Sequence, residues 1–123
     1  MPSEVFDVAV VTQTLQFVSR PLDAVRNLLD ALKPDGSLLL TVPTLSRIDD
    51  SWDRWRWTPW GLRELLAEAA SPGMDVECTG LGNGLAARAF LFGLGSADLD
   101  DAVLSRHDAD YPMIVGARVT RTA

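Results

Sequence analysis

The chain predicts an α/β fold built around a parallel crossover, on three observations. Residues Phe6 to Val11 (FDVAVV) are a short, almost wholly apolar run rich in β-branched side chains. RPLDAVRNLLDAL then carries helical periodicity. After the turn KPDG a second apolar run, SLLLTVP, ends at Pro43. Strand, helix and strand in that order make one crossover of a parallel sheet.

Phe6 to Val11 shows no polar alternation, which predicts a strand covered on both faces. Thr12, Gln13 and Thr14 turn the chain polar at its carboxyl end, the edge where open α/β sheets bind ligands. In the next helix Leu22, Val25, Leu29 and Leu32 form one stripe, with Asp23, Arg26, Asp30 and Lys33 opposite. Ser19 is the expected cap and Pro21 lies in the first turn. Pro34 and Gly36 are expected to stop the helix, and Leu38 to Val42 is the next strand. Thr44 to Trp57 is a polar, aromatic connection. Thr58 and Pro59 start a second helix, with Leu62, Leu65, Leu66 and Ala69 as its buried stripe. Ser71-Pro72-Gly73 breaks it, and Met74 to Leu81 is a strand. Gly82 to Gly84 reads as a turn in which Asn83 takes a positive φ. A short apolar helix follows to about Phe92, and Ser96 caps another through Leu104. His107 to Pro112 is a loop, and Met113 to Val119 the last strand.

A chain of 123 residues holds one domain at most. Its 47% hydrophobic content belongs to a globular protein. The net charge of −6 and a pI near 4.5 speak against nucleic acid, whose phosphates require a basic face. Met1 is followed by Pro, Ser and Glu, not by a signal-peptide pattern. The longest apolar stretch, Gly84 to Gly95, is interrupted by Arg88 and is shorter than the ~20 residues a bilayer span takes. No membrane and no metal are therefore expected. A single cysteine, Cys78, fits a reducing cytoplasm, and cytoplasmic location is the expectation. Cys78 itself reads as a small buried strand residue.

The ordered motifs Phe6-Asp7-Val8, Thr12-Gln13-Thr14, Leu15-Gln16-Phe17, Leu32-Lys33-Pro34-Asp35-Gly36, Val42-Pro43 and Trp55-Arg56-Trp57-Thr58-Pro59 resemble the second half of a class I S-adenosylmethionine-dependent methyltransferase, type 11-like. The resemblance covers nearly the whole chain. It implies a partial Rossmann-like methyltransferase sheet, its last four strands with the final one antiparallel, flanked by helices. In that family three strands and a glycine-rich cofactor loop come first, whereas five residues precede Phe6 here. Residues 1–123 thus resemble a single partial domain lacking the cofactor-binding half. The glycine loop and the acidic residue that holds the ribose have no counterpart, so weak or absent binding of S-adenosylmethionine by this chain is expected. Pro2-Ser3-Glu4-Val5 resembles the tail of the loop that leads into Phe6, and whether Met1 is the true start is open.

The resemblance places Thr12, Gln13 and Thr14 on the sulfonium side of the cofactor. The bland reading of these residues is a polar strand end. Gln16 stands where many relatives carry His, and glutamine lacks the basicity of a proton acceptor. It is grouped with Trp52, Trp55, Arg56 and Trp57 as acceptor-binding. Four indoles, Trp60 included, crowd into nine residues, and would form either a wall against a flat or sugar-like acceptor or a plug in the core. Arg54 and Arg56 would bind an anion or pair with Asp49, Asp50 or Asp53. His107, the sole histidine, is the one catalytic candidate, weighed against a hydrogen-bonded loop residue. Two readings stand side by side. One is the carboxyl-terminal half of an enzyme methylating a small-molecule or glycoconjugate acceptor. The other is a non-catalytic remnant or partner subunit. In both, the strand Phe6 to Val11 has lost a neighbour. A homo-oligomer or a complementing amino-terminal half is expected.

Overall fold

The computed structural model describes residues 3–122. Four strands form one mixed sheet: β1 (Phe6–Thr12), β2 (Leu32–Pro43), β3 (Met74–Leu81) and β4 (Ile114–Arg121), in spatial order β1-β2-β4-β3. β1 and β2 are parallel, and β4 runs antiparallel to both its neighbours, β2 and β3. Helices α1 (Pro21–Asp30) and α2 (Pro59–Ala69) make the two crossovers. α3 (Gly84–Leu91) and the single turn α4 (Asp101–Leu104) fill the insertion between β3 and β4. The carboxyl ends of β1, β2 and β3 therefore share one edge of the sheet, as the resemblance implies for the last four strands with an antiparallel final one.

The helical layer follows from the apolar stripes. Val25 and Leu29 of α1 and Leu62 and Leu66 of α2 are buried against Leu38, Leu40 and Val42 of β2 and Val115 and Val119 of β4. Thr58 caps α2, its hydroxyl accepting the Gly61 N–H at 3.1 Å, with Pro59 in the first helical position. At the far edge, Arg121 donates to the Leu32 carbonyl at 2.6 Å and to Glu4 Oε1 at 2.9 Å.

Several boundaries differ from the sequence reading. α1 is preceded by Arg20 rather than capped by Ser19, and no side chain accepts from its first turn. Pro21 supplies the helical φ instead. Leu32 and Lys33 belong to β2, not to the helix, because the residue before Pro34 is driven out of the helical region. The KPDG turn survives as an excursion inside β2. Pairing jumps from Phe6–Leu32 to Val8–Ser37, and Asp35 takes a φ of +64°. A Cβ on Gly36 would lie 2.8 Å from the Lys33 carbonyl oxygen, so only glycine closes this loop. The segment from Ser96 breaks into a 3-10 turn, Ser96–Asp98, and α4. Its aspartates favour turns over helix interiors, and the Asp98 carboxylate accepts from the Gly95 N–H at 2.8 Å. Leu15–Phe17 forms a 3-10 turn the sequence does not announce. Pro2, in the lead-in motif, lies outside the described residues.

The largest difference is the second face of the sheet. Register places Val10, Leu39, Arg118 and Glu77 in one row, with Val8, Ser37, Thr120 and Asp75 in the next. Val8 is 52% and Val10 64% exposed, so β1 is covered on one face rather than two. Both described crossover helices lie over the opposite face. The uncovered one is apolar at β1 and charged toward β3.

This asymmetry makes an expectation for stability. Leu66→Ala opens a cavity in the packed layer and is expected to cost about 2–5 kcal/mol in urea unfolding. Leu39→Ala, on the open face, is expected to cost less than about 1 kcal/mol. Equal losses would mean that both faces are packed.

Candidate functional site

The carboxyl edge begins where β1 ends. Gln13 adopts a φ of +48°, a left-handed conformation that costs a residue with a Cβ about 1–2 kcal/mol. Two bonds hold it there: its N–H donates to the Thr41 carbonyl at 3.0 Å, and its Nε2 to Thr41 Oγ1 at 3.3 Å. Thr14 Oγ1 donates to the Thr12 carbonyl at 2.9 Å. The 3-10 turn then buries Gln16, which is only 6% exposed. Its Nε2 donates to the Gln13 carbonyl at 3.0 Å, which fixes the orientation of the amide. Gln16 Oε1 is left buried with no donor, and so is Thr44 Oγ1 just past β2. An unpaired buried polar atom costs about 1–3 kcal/mol, and a site that keeps two on one edge calls for a partner.

The tryptophan-rich connection is laced onto this turn. The Gln16 carbonyl accepts from the N–H groups of Arg54 at 2.9 Å and Trp55 at 3.2 Å. The Trp55 indole N–H donates to the Val18 carbonyl at 2.7 Å, and Arg54 Nη1 to those of Phe17 and Trp52, both at 3.0 Å. Arg56 grips Asp53 with both terminal nitrogens, at 2.5 and 2.8 Å, and also bonds the Arg47 and Trp55 carbonyls. The Asp53 side chain is 3% exposed. The hydrogen bond from Arg56, followed by that from the Asp49 N–H, lowers the Asp53 pKa to about 2. Arg56 is thus the brace of its own loop, and the expected aspartate pairing is made through Asp53. The indoles divide: Trp57 packs against the core, while Trp52, Trp55 and Trp60 are exposed. Trp60 lies under the Arg63 guanidinium, 5.6 Å from its ring centroid.

A second feature opens beside this edge. Asn83 follows β3 with an extended φ of −153°, correcting the expectation of a positive φ, which falls to Gly82 at +108°. Asn83 is 2% exposed and fully bonded. Its Oδ1 accepts the Ala86 N–H at 2.8 Å, and its Nδ2 donates to the carbonyls of Val103 at 2.7 Å and Arg106 at 2.9 Å. One amide therefore caps α3 and ties it to the end of α4. Between α3 and the loop at 106–111 lies a cavity of about 620 Å³, lined in part by Leu45, Arg88, His107 and Tyr111.

The fold gathers Thr12, Gln13, Thr14, Gln16 and Trp55 around the end of β1, while Arg56 is bonded within the 46–55 connection. His107 stands apart, exposed on the cavity beneath α3. Cys78 is half-buried on β3, and burial pushes its thiol pKa up, away from nucleophilic use. Sequence reading missed Thr44, Asn83, Arg88 and Arg106. The one signal was Arg88, a lone cation interrupting an apolar helix.

A family model described as a methyltransferase domain matches residues 1–69. No curated protein sequence matches the chain. Among solved structures it is similar to the [4+2]-cyclase SpnF, at 20% identity and a TM-score of 0.63 over 100% of this chain and 52% of that one. A SAM-dependent methyltransferase from Thermotoga maritima matches at 18% identity and a TM-score of 0.63, over 98% of this chain and 58% of that one. One from Mesorhizobium loti matches at 14% identity and a TM-score of 0.62, over 98% and 64%. The chain spans about half to two thirds of the length of these structures.

The Asp53–Arg56 brace carries a signed pH dependence. The Asp53 pKa is lower in the folded protein, near 2, than its ordinary 3.8. Its contribution to stability is therefore complete above about pH 4 and is lost as pH falls through about 2. Asp53→Asn is expected to be less stable than the parent at neutral pH, with the gap narrowing between pH 4 and 2 in denaturant titrations. A gap independent of pH would overturn this assignment.

Proposed function

Because the chain belongs to the methyltransferase-domain family, we propose that residues 1–123 are the carboxyl-terminal half of a S-adenosylmethionine-dependent methyltransferase that acts on a small-molecule or sugar-like acceptor. The observation that carries the reading is the pair of buried, unpartnered oxygens, Gln16 Oε1 and Thr44 Oγ1, at the carboxyl edge of the sheet. A ligand donor admitted at that edge would satisfy either one, and ligands of open α/β sheets lie there.

The residues present fit S-adenosylmethionine on one side only. Thr12, Gln13 and Thr14 offer polar groups beside the end of β1, but the chain has no glycine-rich strand turn and no acid placed for ribose. When bound, the cofactor supplies an electrophilic methyl group on a sulfonium. This chain's part is to position and to shield. Gln16 orients a donor through its fixed carbonyl oxygen. Trp52 and Trp55, held on the same turn, wall the edge against water. The braced Arg56 and the half-buried Trp57 keep that wall in place. His107 is the side chain placed to accept a proton from an acceptor hydroxyl that reaches its cavity.

A partner-subunit reading is favoured by one observation, the uncovered apolar face and free edge of β1. One solved neighbour is a methyltransferase in complex with the Haloferax volcanii Trm112 activator. In this reading an amino-terminal half or a second copy covers the face and completes the cofactor grip.

Two measurements test these readings. Calorimetry with S-adenosylhomocysteine is expected to give this chain alone a dissociation constant weaker than about 100 μM, less than about 5.5 kcal/mol of binding. At millimolar ligand, amide shifts are expected to centre on residues 12–16. Shifts confined elsewhere, or low-micromolar binding, would refute the one-sided site. Sedimentation equilibrium is expected to find species heavier than 13.4 kDa at high micromolar concentration. A stable monomer would show that the β1 edge needs no partner.

A further inference from the structure

The cavity between α3 and the 106–111 loop has a charge pattern at odds with the rest of the chain. The protein carries a net charge of −6. Two guanidinium groups, Arg88 and Arg106, and the His107 imidazole nevertheless line this one hollow, with Asp108 the single carboxylate. Among the described residues neither guanidinium lies within ion-pair distance of a carboxylate. The rest of the wall is apolar. Leu85, Arg88 and Leu91 recur every three residues along one face of α3 and meet the cavity together. Leu45, just past β2, and the Tyr111 ring complete it. The Tyr111 ring lies against the start of α3, where a Cβ on Gly84 would meet its Cγ at an ordinary contact distance of 3.4 Å.

The shape is held by hydrogen bonds centred on the buried Asn83 amide. Asn83 fastens α3 to the carbonyls of Val103 and Arg106. The Asp108 N–H donates to the Gly82 carbonyl at 3.1 Å, and the Tyr111 N–H to the Asp108 carbonyl at 3.2 Å. The Arg106 side chain takes no part in this clamp and remains free to reach a ligand. A volume of about 620 Å³ is in the range of small-molecule sites, about 300–1,000 Å³.

We propose that this cavity is the acceptor site, and that its occupant is an amphipathic organic anion: a carboxylate or phosphate head held by Arg88 and Arg106, on an apolar body lying against Leu45, Leu85, Leu91 and Tyr111. The assignment as acceptor rests on the methyltransferase reading. The binding of such an anion does not. Guanidinium groups match the planar, two-oxygen face of these heads, and the partly enclosed apolar wall excludes a purely polar sugar. His107 stands in the same wall, beside whichever group of the occupant is to be methylated.

The test uses the chain as it is, without cofactor, and four compounds of one shape: 2-naphthoate, 2-naphthyl phosphate, neutral 2-naphthamide and cationic 2-naphthylmethylamine. Binding is followed by NMR shifts of the Tyr111 ring and the residues of α3. The anions are expected to bind about 10-fold or more tighter than the amide, as charged hydrogen bonds predict. The ratio of phosphate to carboxylate then identifies the head. In Arg88→Gln and Arg106→Gln, both at exposed positions and with side chains that take no part in the Asn83 clamp, the acid is expected to fall to the affinity of the amide. Circular dichroism confirms that each variant is folded. Equal binding of acid and amide by the unaltered chain, preference for the amine, or shifts away from α3 would overturn the proposal. The two readings fail separately. Anion binding together with shifts from millimolar S-adenosylhomocysteine confined to residues other than 12–16 would sink the one-sided cofactor site alone. The reverse result would sink the anion site alone.

Discussion

A sheet with crossover helices on one face must put its whole core on that face. All else in this molecule follows from that constraint. Leu38, Leu40 and Val42 point into the helical layer, as do Val115, Ala117 and Val119, while Leu39 and Arg118 alternate with them toward the open face. Parity along each strand, not composition, decides what is buried. It also makes the antiparallel β4 essential. Inserted between β2 and β3, it lets Val115 and Val119 close the layer that α2 covers, and ties a strand distant in sequence into the middle of the sheet.

Element types were legible in the sequence where local chemistry and burial agree. The Thr58-Pro59 helix start, the 74–81 strand and the stripe Val25–Leu29 could be read because capping, turn residues and period point the same way. Boundaries failed where two signals competed. Leu32 suits the helical stripe by spacing, yet Pro34 keeps Lys33 out of the helix, and the strand begins at Leu32 rather than Leu38. The exposure of Val8 and Val10 was illegible for another reason. An apolar run records that its faces want cover, not whether cover is present in the chain at hand.

The ligand edge was half legible. Thr12 to Thr14 could be placed by the rule that open α/β sheets bind at strand ends, and the Trp-rich connection by its crowding. What escaped was the detail that tertiary structure sets: an amide oxygen left unpaired by the orientation of its own nitrogen, and a hydroxyl at position 44 stranded beyond β2. The cavity under α3 depends on contacts between residues more than 20 positions apart, such as Asn83 to Arg106. No local pattern encodes these. Fold likeness at 20% identity or below is equally silent on chemistry, since one fold serves many reactions.

The bond from Arg121 to Glu4 joins residues 117 positions apart at the edge opposite the ligand-facing one. Residues 4 to 121 thus form nearly a closed ring. Positions 4 and 121 could be bridged by a short linker at little cost in loop entropy, and the ring reopened at an exposed connection such as Ser71-Pro72-Gly73. In such a permutant every strand would keep its neighbours. The order of the elements along the chain would become a matter of synthesis, not of architecture.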